Sequence, residues 1–198
     1  MNALPILTSQ CPRCAEPNVH SQVCGHCLSQ PPAFDRVFCP FEYRPPLKAL
    51  IHKWKNHTNV LGPEQLIQQL LERLNGQQFD LVVPVPYHWQ KLIRRGHNPV
   101  RNLSRALAKQ MSTPMVDAIK RVKKGHDQQG LDRKARLKNL RQAFKIDKNH
   151  RKQLQGKNIL LVDDVLTTGA TCNRISQLLK RAGAKSVTVG CLARTPPR

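Results

Sequence analysis

The chain has 198 residues and a mass of 22.5 kDa, enough for one domain with a hydrophobic core and a small appendage. It carries 33 Lys and Arg against 12 Asp and Glu, a formal net charge of +21, which favours polyanions such as nucleic acid, anionic lipid or phosphorylated ligands. No apolar run approaches the roughly 20 residues of a membrane span, and the N-terminus has no secretory pattern. We therefore expect a cytoplasmic protein, which could also act at the inner face of the cytoplasmic membrane.

Most of the positive charge is concentrated in one stretch. Residues 88–158 carry 20 Lys and Arg and 4 Asp and Glu, a net of +16, whereas residues 1–87 have a net of +1 and residues 159–198 a net of +4. An anionic ligand relieves the self-repulsion of such a stretch, so the imbalance indicates more than a solvated face.

Two Cys-x-x-Cys pairs occupy a polar segment near the N-terminus. Their members are Cys11, Cys14, Cys24 and Cys27. Each pair places two thiolates on one turn, and the two turns together predict a closed, structural Zn²⁺ site. The metal would stabilise a segment that has too few apolar residues for its own core. Disulfides are the main alternative but are disfavoured in the cytosol, and His26 could replace one cysteine as a ligand.

The elements that follow are predicted from periodicity. Alternation over residues 34–43 predicts a strand, and helical spacing predicts a helix from Leu47 to about Lys55 with Trp54 in the core. A second helix runs from Gly62-Pro63 to Asn75-Gly76.

Strands and helices then alternate to the end of the chain. Helices are predicted over residues 99–110 and after residue 171, the latter ending at Gly183, and the basic residues 122–140 predict a mobile loop or loosely held helix. Further strands are predicted over residues 79–86, 143–146, 158–164 and 186–194. This alternation predicts a parallel, doubly wound α/β sheet. Buried free thiols are expected at Cys39, Cys172 and Cys191.

The stretch ILLVDDVLTTGAT, residues 159–171, carries the most chemical information. A buried strand delivers Asp163 and Asp164 to the carboxyl edge of the sheet, where ligands of open α/β folds bind. The next residues present backbone N–H groups and hydroxyls at a helix N-terminus, which suits a terminal phosphate. These loop residues are Thr167, Thr168, Gly169, Ala170 and Thr171. Because carboxylates suit ribose hydroxyls or a metal-ligand network, the stretch predicts a sugar phosphate ligand.

This stretch resembles the phosphoribosyl pyrophosphate (PRPP) motif of the type I phosphoribosyltransferases. The resemblance implies that Asp163 and Asp164 hold the ribose 2′ and 3′ hydroxyls, and that the loop binds the 5′-phosphate. We expect a zinc ribbon over residues 1–32, a linking strand and helices over 33–78, and a phosphoribosyltransferase-like domain over 79–198.

The whole chain is similar to the ComF/GntX family. The cysteine ribbon is followed by VPVPYHWQKLIRRGHNPVRNLSRALAKQ (83–110), GLDRKARLKNLRQAF (130–144) and the PRPP motif, in the family's order. His97 and Pro99 depart from the usual sequence of the family, which has phenylalanine and glutamine at these positions. The resemblance implies pyrophosphate-side residues and a loop that closes over PRPP. These candidates are Tyr87, His88, Arg94 and Arg95, with Arg133, Arg136 and Asn139 in the loop.

The reaction implied is displacement of pyrophosphate at the ribose anomeric carbon, with Mg²⁺ carried largely by the pyrophosphate oxygens. His88 and His97 are candidate acid–base groups, although a structural or solvent-facing role is favoured for both. Glutamine amidophosphoribosyltransferase activity is not expected, because the chain lacks the glutaminase domain of those enzymes. The sequence identifies no acceptor.

Three functions follow from these features. The resemblance implies a PRPP-binding protein that acts in natural competence, in uptake of transforming single-stranded DNA, and residues 88–158 hold more cations than PRPP needs. An active phosphoribosyltransferase is the alternative, and an adaptor whose ribbon docks a DNA helicase or recombination mediator is a third. DNA contacts are expected from Lys91, Arg94, Arg95, Arg101, Lys123, Lys124, Arg133 and Lys134.

Overall fold

A parallel β-sheet with helices packed against it forms the body of the protein. The computed structural model describes residues 4–56, 63–87, 92–93, 95–122 and 142–196. The strands in these residues are β1 (Arg36–Phe38), β2 (Phe41–Glu42), β3 (Leu81–Pro84), β4 (Ile119–Arg121), β5 (Phe144–Ile146), β6 (Asn158–Leu166) and β7 (Ser186–Arg194). The helices are α1 (Gly25–Ser29), α2 (Leu47–Asn56), α3 (Pro63–Leu74), α4 (Pro99–Gln110) and α5 (Ala170–Arg181).

The sheet has the order β1, β7, β6, β3, with β2 also paired to β7, and all of these pairs are parallel. The central strands β6 and β7 align Leu161 with Val189 and Asp163 with Cys191. Residues 159–162 of β6 are all buried. Successive side chains of a strand point to opposite faces, so a continuous buried run means that both faces are covered. The predicted parallel α/β fold is confirmed.

Each face of the sheet packs against a different set of helices. Ile159 and Leu161 belong to one buried cluster with Ile175 and Leu179 of α5. Leu160 belongs to the other, which α2, α3 and α4 supply with their apolar faces. That cluster includes Leu47, Ile51, Trp54, Leu66, Leu70, Leu103 and Leu107. These apolar side chains recur at helical spacing, so each helix buries one face, and Trp54 is in the core as predicted. No helix in the described residues is long and apolar enough to cross a membrane.

The single strand predicted over residues 34–43 is wrong, because the structure has two short strands, β1 and β2, separated at Cys39 and Pro40. Proline has no N–H to donate to a strand ladder, so the pairing with β7 is interrupted there. The carbonyl of Pro40 accepts a hydrogen bond from the N–H of Leu7 at 2.8 Å, which brings the N-terminal segment to this edge.

An antiparallel ribbon of β4 and β5 forms a second, two-stranded sheet. The sequence predicts β5 but not β4, whose Ile-Lys-Arg sequence has a single apolar residue. The N–H of Val122 donates to the carbonyl of Ala143 at 2.8 Å, so the two ends of the basic segment are neighbours. Residues 123–141, which include nearly all of the predicted loop, lie outside the described residues.

Candidate functional site

A cavity of about 220 Å³ opens at the carboxyl edge of the sheet, beyond β3 and β6. Because the strands are parallel, their carboxyl ends and the loops that follow them meet at this edge. The cavity brings together the predicted acidic pair, the predicted phosphate loop and one predicted pyrophosphate-side residue. The lining residues are Val85, Pro86, Tyr87, Arg121 and residues 163–172.

The two carboxylates of the acidic pair have different partners. Asp164 is 7% exposed, and its Oδ1 accepts hydrogen bonds from Lys55 Nζ at 2.9 Å and from the N–H of Val165 at 2.6 Å. Asp163 Oδ1 accepts from the N–H of Asp164 at 2.9 Å, while its Oδ2 lies 3.7 Å from the thiol of Cys172. Lys55 therefore compensates the charge of Asp164 and leaves Asp163 as the less compensated carboxylate.

The pKa of Asp163 is raised to about 7, first by burial and then by the charge of Asp164. The N–H of Asp164, the charge of Lys55 and the thiol of Cys172 act in the opposite direction but are weaker. A ribose hydroxyl that donates a hydrogen bond to this carboxylate favours its ionised form. Binding of a diol at Asp163 would therefore be linked to release of a proton near neutral pH.

The loop after β6 presents unpaired backbone donors. Gly169 has a φ of +75°, a left-handed conformation that glycine adopts without strain, and it caps the N-terminus of α5. Among the described residues, the N–H groups of Thr167, Thr168 and Gly169 have no hydrogen-bond partner. Thr168 Oγ1 accepts from the N–H of Ala170 at 3.3 Å. Free N–H groups at a helix N-terminus attract an anion, so the loop can hold a phosphate.

Two of the predicted pyrophosphate-side residues are neighbours. Tyr87 lines the cavity, and the guanidinium carbon of Arg95 lies 5.6 Å from the centroid of its ring. Arg121, at the end of β4, also lines the cavity, although the sequence alone does not single it out. The remaining candidates lie outside the described residues: His88, Arg94, Arg133, Arg136 and Asn139.

His97 and Pro99, which differ from the family's usual sequence, lie at the start of α4. The side chain of Asn98 caps this helix by accepting from the N–H of Arg101 at 3.0 Å, and Pro99 takes the first helical position, where no N–H is required. His97 Nδ1 lies 3.0 Å from the carbonyl oxygen of Arg95. Neither His97 nor Pro99 lines the cavity, so both contribute to local structure.

Two of the cations predicted to contact DNA, Arg95 and Arg101, are in the described residues. Arg101 Nη2 pairs with Asp117 Oδ2 at 2.9 Å, which removes part of its attraction for a phosphate. The others lie outside the described residues: Lys91, Arg94, Lys123, Lys124, Arg133 and Lys134.

The four cysteines of the N-terminal segment form one cluster, with all Sγ atoms within 4.8 Å of one another. Sγ of Cys14 and Sγ of Cys24 are 3.7 Å apart. Four thiolates around a tetrahedral zinc ion, with bonds of about 2.3 Å, have sulfurs about 3.8 Å apart. The N–H of Cys24 donates to Cys11 Sγ at 3.4 Å, and His26 is not part of the cluster. These residues can therefore hold a thiophilic metal ion.

Burial raises the pKa of Cys14 to about 12. Burial also acts to raise the pKa of Cys11, but backbone hydrogen bonds, first of all from Cys24, outweigh it and lower that pKa to about 7. A cluster of this kind keeps some of its protons when no cation is present, and a bound metal displaces them.

Three charged residues at the site have no distinct pattern in the sequence: Lys55, Arg121 and Arg194. Each lies at or next to the end of a helix or strand. Arg194 is 7% exposed. Its position as a charged residue at the end of an apolar strand is the one sequence feature that could have indicated a role for it. The predicted buried thiols Cys39, Cys172 and Cys191 are all buried, and Cys172 contacts Asp163.

A parallel sheet with an acidic pair and a loop of unpaired N–H groups at its carboxyl edge is the arrangement expected for the phosphoribosyltransferase class. The sequence profile described as "Phosphoribosyl transferase domain" matches residues 56–198. DNA utilization protein YhgH of Escherichia coli K12 is 36% identical over 194 residues, which cover 93% of this chain and 84% of that protein. Competence protein F of Haemophilus influenzae is 35% identical over 196 residues, which cover 93% of this chain and 84% of that protein.

Among solved structures, purine phosphoribosyltransferase from Pyrococcus horikoshii is 23% identical, with a TM-score of 0.39, over 71% of this chain and 73% of that one. The chain belongs to the phosphoribosyl transferase domain family, in the group that contains DNA utilization protein YhgH and competence protein F. The family predicted from the order of motifs is therefore confirmed.

Proposed function

We propose that this protein binds PRPP in the cavity at the sheet edge and acts in the uptake of transforming single-stranded DNA during natural competence. The observation that carries the proposal is the placement of an acidic pair and a loop of unpaired N–H groups around one cavity. The 5′-phosphate would accept from residues 167–169, and the ribose hydroxyls would donate to Asp163 and Asp164. Pyrophosphate would contact Tyr87 and Arg121, with Arg133, Arg136 and Asn139 as closing-loop residues.

The charge balance supports the DNA part of the proposal. The ion pairs in the described residues engage seven acidic side chains, and the whole chain has 12 against 33 cations. Cations therefore outnumber acidic side chains by 21, and a strand of phosphates can accept hydrogen bonds from the excess. The names of the relatives, which refer to DNA utilization and competence, agree with this role.

The metal ions complete the proposal. Zinc is the ion we assign to the four cysteines, since their sulfurs lie within 4.8 Å of one another and those of Cys14 and Cys24 have the spacing of tetrahedral thiolate coordination. Mg²⁺ would enter with PRPP and be carried by its pyrophosphate oxygens. The protein would act in the cytoplasm, and its chain would comprise a zinc ribbon over residues 1–32, a linking segment over 33–78 and a phosphoribosyltransferase-like domain over 79–198.

Fluorescence anisotropy of a labelled single strand, titrated with protein at several salt concentrations with and without Mg²⁺–PRPP, tests the proposal. We expect salt-dependent binding whose affinity changes when PRPP is present. Weak binding that is indifferent to PRPP contradicts the DNA role, whereas absence of PRPP binding contradicts the site.

Charge variants sharpen this test. Replacing Lys123, Lys124, Arg133 and Lys134 with Gln should reduce the steepness of log affinity against log salt by about 2 to 3, at about 0.7 per lost phosphate contact. The matched control replaces four cations outside residues 88–158, all with exposed side chains, with Gln. These are Arg36, Lys48, Lys53 and Lys185. Equal losses in the two variants would mean that the protein attracts DNA only through its net charge.

A working phosphoribosyltransferase is the second candidate, because the cavity combines a phosphate loop, an acidic pair and cationic and phenolic groups beside them. Release of pyrophosphate from Mg²⁺–PRPP, measured with ammonia and with nucleobases as acceptors, tests this activity. Turnover that is lost in Asp163→Asn supports an enzyme; binding of PRPP without turnover with these acceptors counts against it.

The ribbon is our candidate docking surface for a DNA helicase or a recombination mediator. Val19 is 86% exposed and Leu28 is 71% exposed, so both apolar side chains are available to a partner. A pull-down compares how much of a DNA helicase is captured by the wild type and by Val19→Ser/Leu28→Ser. Equal capture of the helicase by the two proteins contradicts this assignment.

A further inference from the structure

Arg194, the last residue of β7, connects the cysteine cluster to the phosphate loop. The residue is 7% exposed, and its Nε donates to the carbonyl of Cys14 at 3.2 Å. Its Nη1 lies 3.1 Å from the carbonyl oxygen of Leu166 and also contacts that of Thr167. One buried guanidinium therefore contacts two loops that are far apart in the chain.

The contacts on the loop side determine where its donors point. In a trans peptide group the C=O of one residue and the N–H of the next point in opposite directions. The carbonyls of Leu166 and Thr167 face Arg194, so the N–H groups of Thr167 and Thr168 face away from it. These are two of the unpaired N–H groups of the phosphate loop. The guanidinium thereby orients the donors that the phosphate would use.

The contacts on the ribbon side depend on the cysteine cluster. Cys14, whose carbonyl accepts from Arg194, is itself one of the four clustered residues. Glu16 Oε2 lies 3.9 Å from Arg194 Nη2, 3.9 Å from Cys14 Sγ and 4.0 Å from Cys24 Sγ. A metal ion bound by the four sulfurs would hold the Cys14 turn, and with it the acceptors that fix the guanidinium.

We propose that Arg194 is a positioning residue that makes the affinity of the phosphate loop for ribose 5-phosphates depend on the metal in the cysteine cluster. The inference rests on the proposed function, because it assumes that the loop holds the 5′-phosphate. Coupling of this kind is reciprocal, so bound ribose 5-phosphate also raises the affinity of the four cysteines for the metal by the same factor.

Calorimetric titration with ribose 5-phosphate tests the inference, since this probe occupies the loop and needs no Mg²⁺. We compare wild type and Arg194→Met, each with its metal and after removal of the metal by a chelator. Arg194→Met and metal removal should each weaken binding by about ten- to a hundredfold. Metal removal should weaken the Arg194→Met variant further by less than about twofold, because the connection is already broken.

The controls separate positioning from general destabilisation. Arg181→Met removes an exposed cation from the end of α5 and should bind ribose 5-phosphate as the wild type does. Arg194 lines a cleft of about 630 Å³. Methylguanidinium should therefore restore binding in Arg194→Ala, where the space of the removed side chain is open, whereas methylammonium should not.

Each outcome has a defined meaning. The inference is overturned if metal-loaded Arg194→Met binds ribose 5-phosphate as tightly as the wild type does. It is also overturned if metal removal weakens binding by the same factor in Arg194→Met as in the wild type. If Arg194→Met does not fold, unchanged affinity of the wild type after metal removal overturns it as well. A wild type that binds neither ribose 5-phosphate nor PRPP refutes the proposed function, and the inference falls with it.

Discussion

At the scale of single residues, the partners of the acidic pair distinguish two carboxylates that are adjacent in sequence. Asp164 is paired with Lys55, whereas Asp163 has neutral partners and a pKa raised to about 7 by burial and by Asp164. In the unfolded chain an aspartate has a pKa of about 3.9. The folded state therefore binds a proton that the unfolded state releases between about pH 4 and pH 7.

Asp163→Asn tests this difference through stability. Because the folded pKa is raised, Asp163 makes the ligand-free wild type less stable as the pH rises through this window. The variant lacks this effect, so its stability relative to the wild type should be greater at pH 7.5 than at pH 5. Denaturant unfolding at the two pH values measures it, and an equal difference at both contradicts the assignment.

Lys55→Met tests the ion pair. The side chains of Lys55 and Asp164 are 18% and 10% exposed, so the variant leaves a nearly buried carboxylate unpaired beside Asp163. We expect the free energy of unfolding to fall by about 1 to 3 kcal/mol, and affinity for the anionic ligand PRPP to fall about tenfold. Thermal unfolding and calorimetry measure both.

Lys53→Met is the matched control for this variant. Lys53 is an exposed residue of the same helix, and it forms no ion pair with an acidic side chain among the described residues. Its replacement should leave the free energy of unfolding and the affinity for PRPP near the wild-type values. Equal effects of the two variants would mean that the losses of stability and affinity result from the lower positive charge of α2 and not from the broken ion pair.

At the scale of elements, the junction between β6 and α5 combines backbone conformation with ligand binding. Gly169 has a φ of +75°, and a Cβ there would meet the ring of Phe34 at 3.8 Å, an ordinary contact. Substitution by alanine therefore strains the backbone without a steric clash. The strain would act on the peptide groups whose N–H donors are unpaired.

Gly169→Ala should lower the free energy of unfolding by about 1 to 2 kcal/mol, the cost of a left-handed non-glycine residue. It should also weaken ribose 5-phosphate binding about tenfold, the effect of one charge-assisted hydrogen bond. Gly76→Ala is the control, because Gly76 has a φ of +77°, open space around its Cα and no place in the cavity. It should reproduce the loss of stability alone; weakened binding in both variants contradicts a local role of Gly169.

At the scale of the whole molecule, the cysteine ribbon is continuous with the hydrophobic core. Cys11, Cys14 and Cys27 belong to the same buried cluster as Phe34 and Leu166. A metal at the four sulfurs would therefore stabilise the body of the protein as well as the ribbon, since the two share packing contacts.

Cys24→Ser should abolish stoichiometric zinc binding and lower the free energy of unfolding by more than about 2 kcal/mol. Removal of zinc from the wild type by a chelator should have a similar effect. The control is His26→Ala, since His26 lies between two clustered cysteines but outside the cluster. Metal analysis together with denaturant unfolding checks the prediction, and retention of one zinc ion per chain by Cys24→Ser contradicts it.

The local features of this protein could be predicted from its sequence. The apolar run that ends in Asp163 and Asp164, the glycine-containing loop and the two cysteine pairs are each readable because their residues are close in the chain. The same holds for the helices, whose buried faces follow from spacing alone. The sequence does not predict strand β4, and it predicts one strand where the structure has a break at Pro40. Whether such short segments form strands depends on the strands they pair with.

Which distant side chains complete the site depends on how the chain folds. Lys55 belongs to α2, which is far from Asp164 in the sequence, yet its ammonium group pairs with that carboxylate. Arg194 contacts the carbonyl of Cys14, which lies 180 residues away in the chain. Periodicity shows which face of an element is buried, but it carries no information about which residue of another element packs against that face. Such contacts depend on the order of strands in the sheet and on how the layers pack, and these exist only in the folded chain.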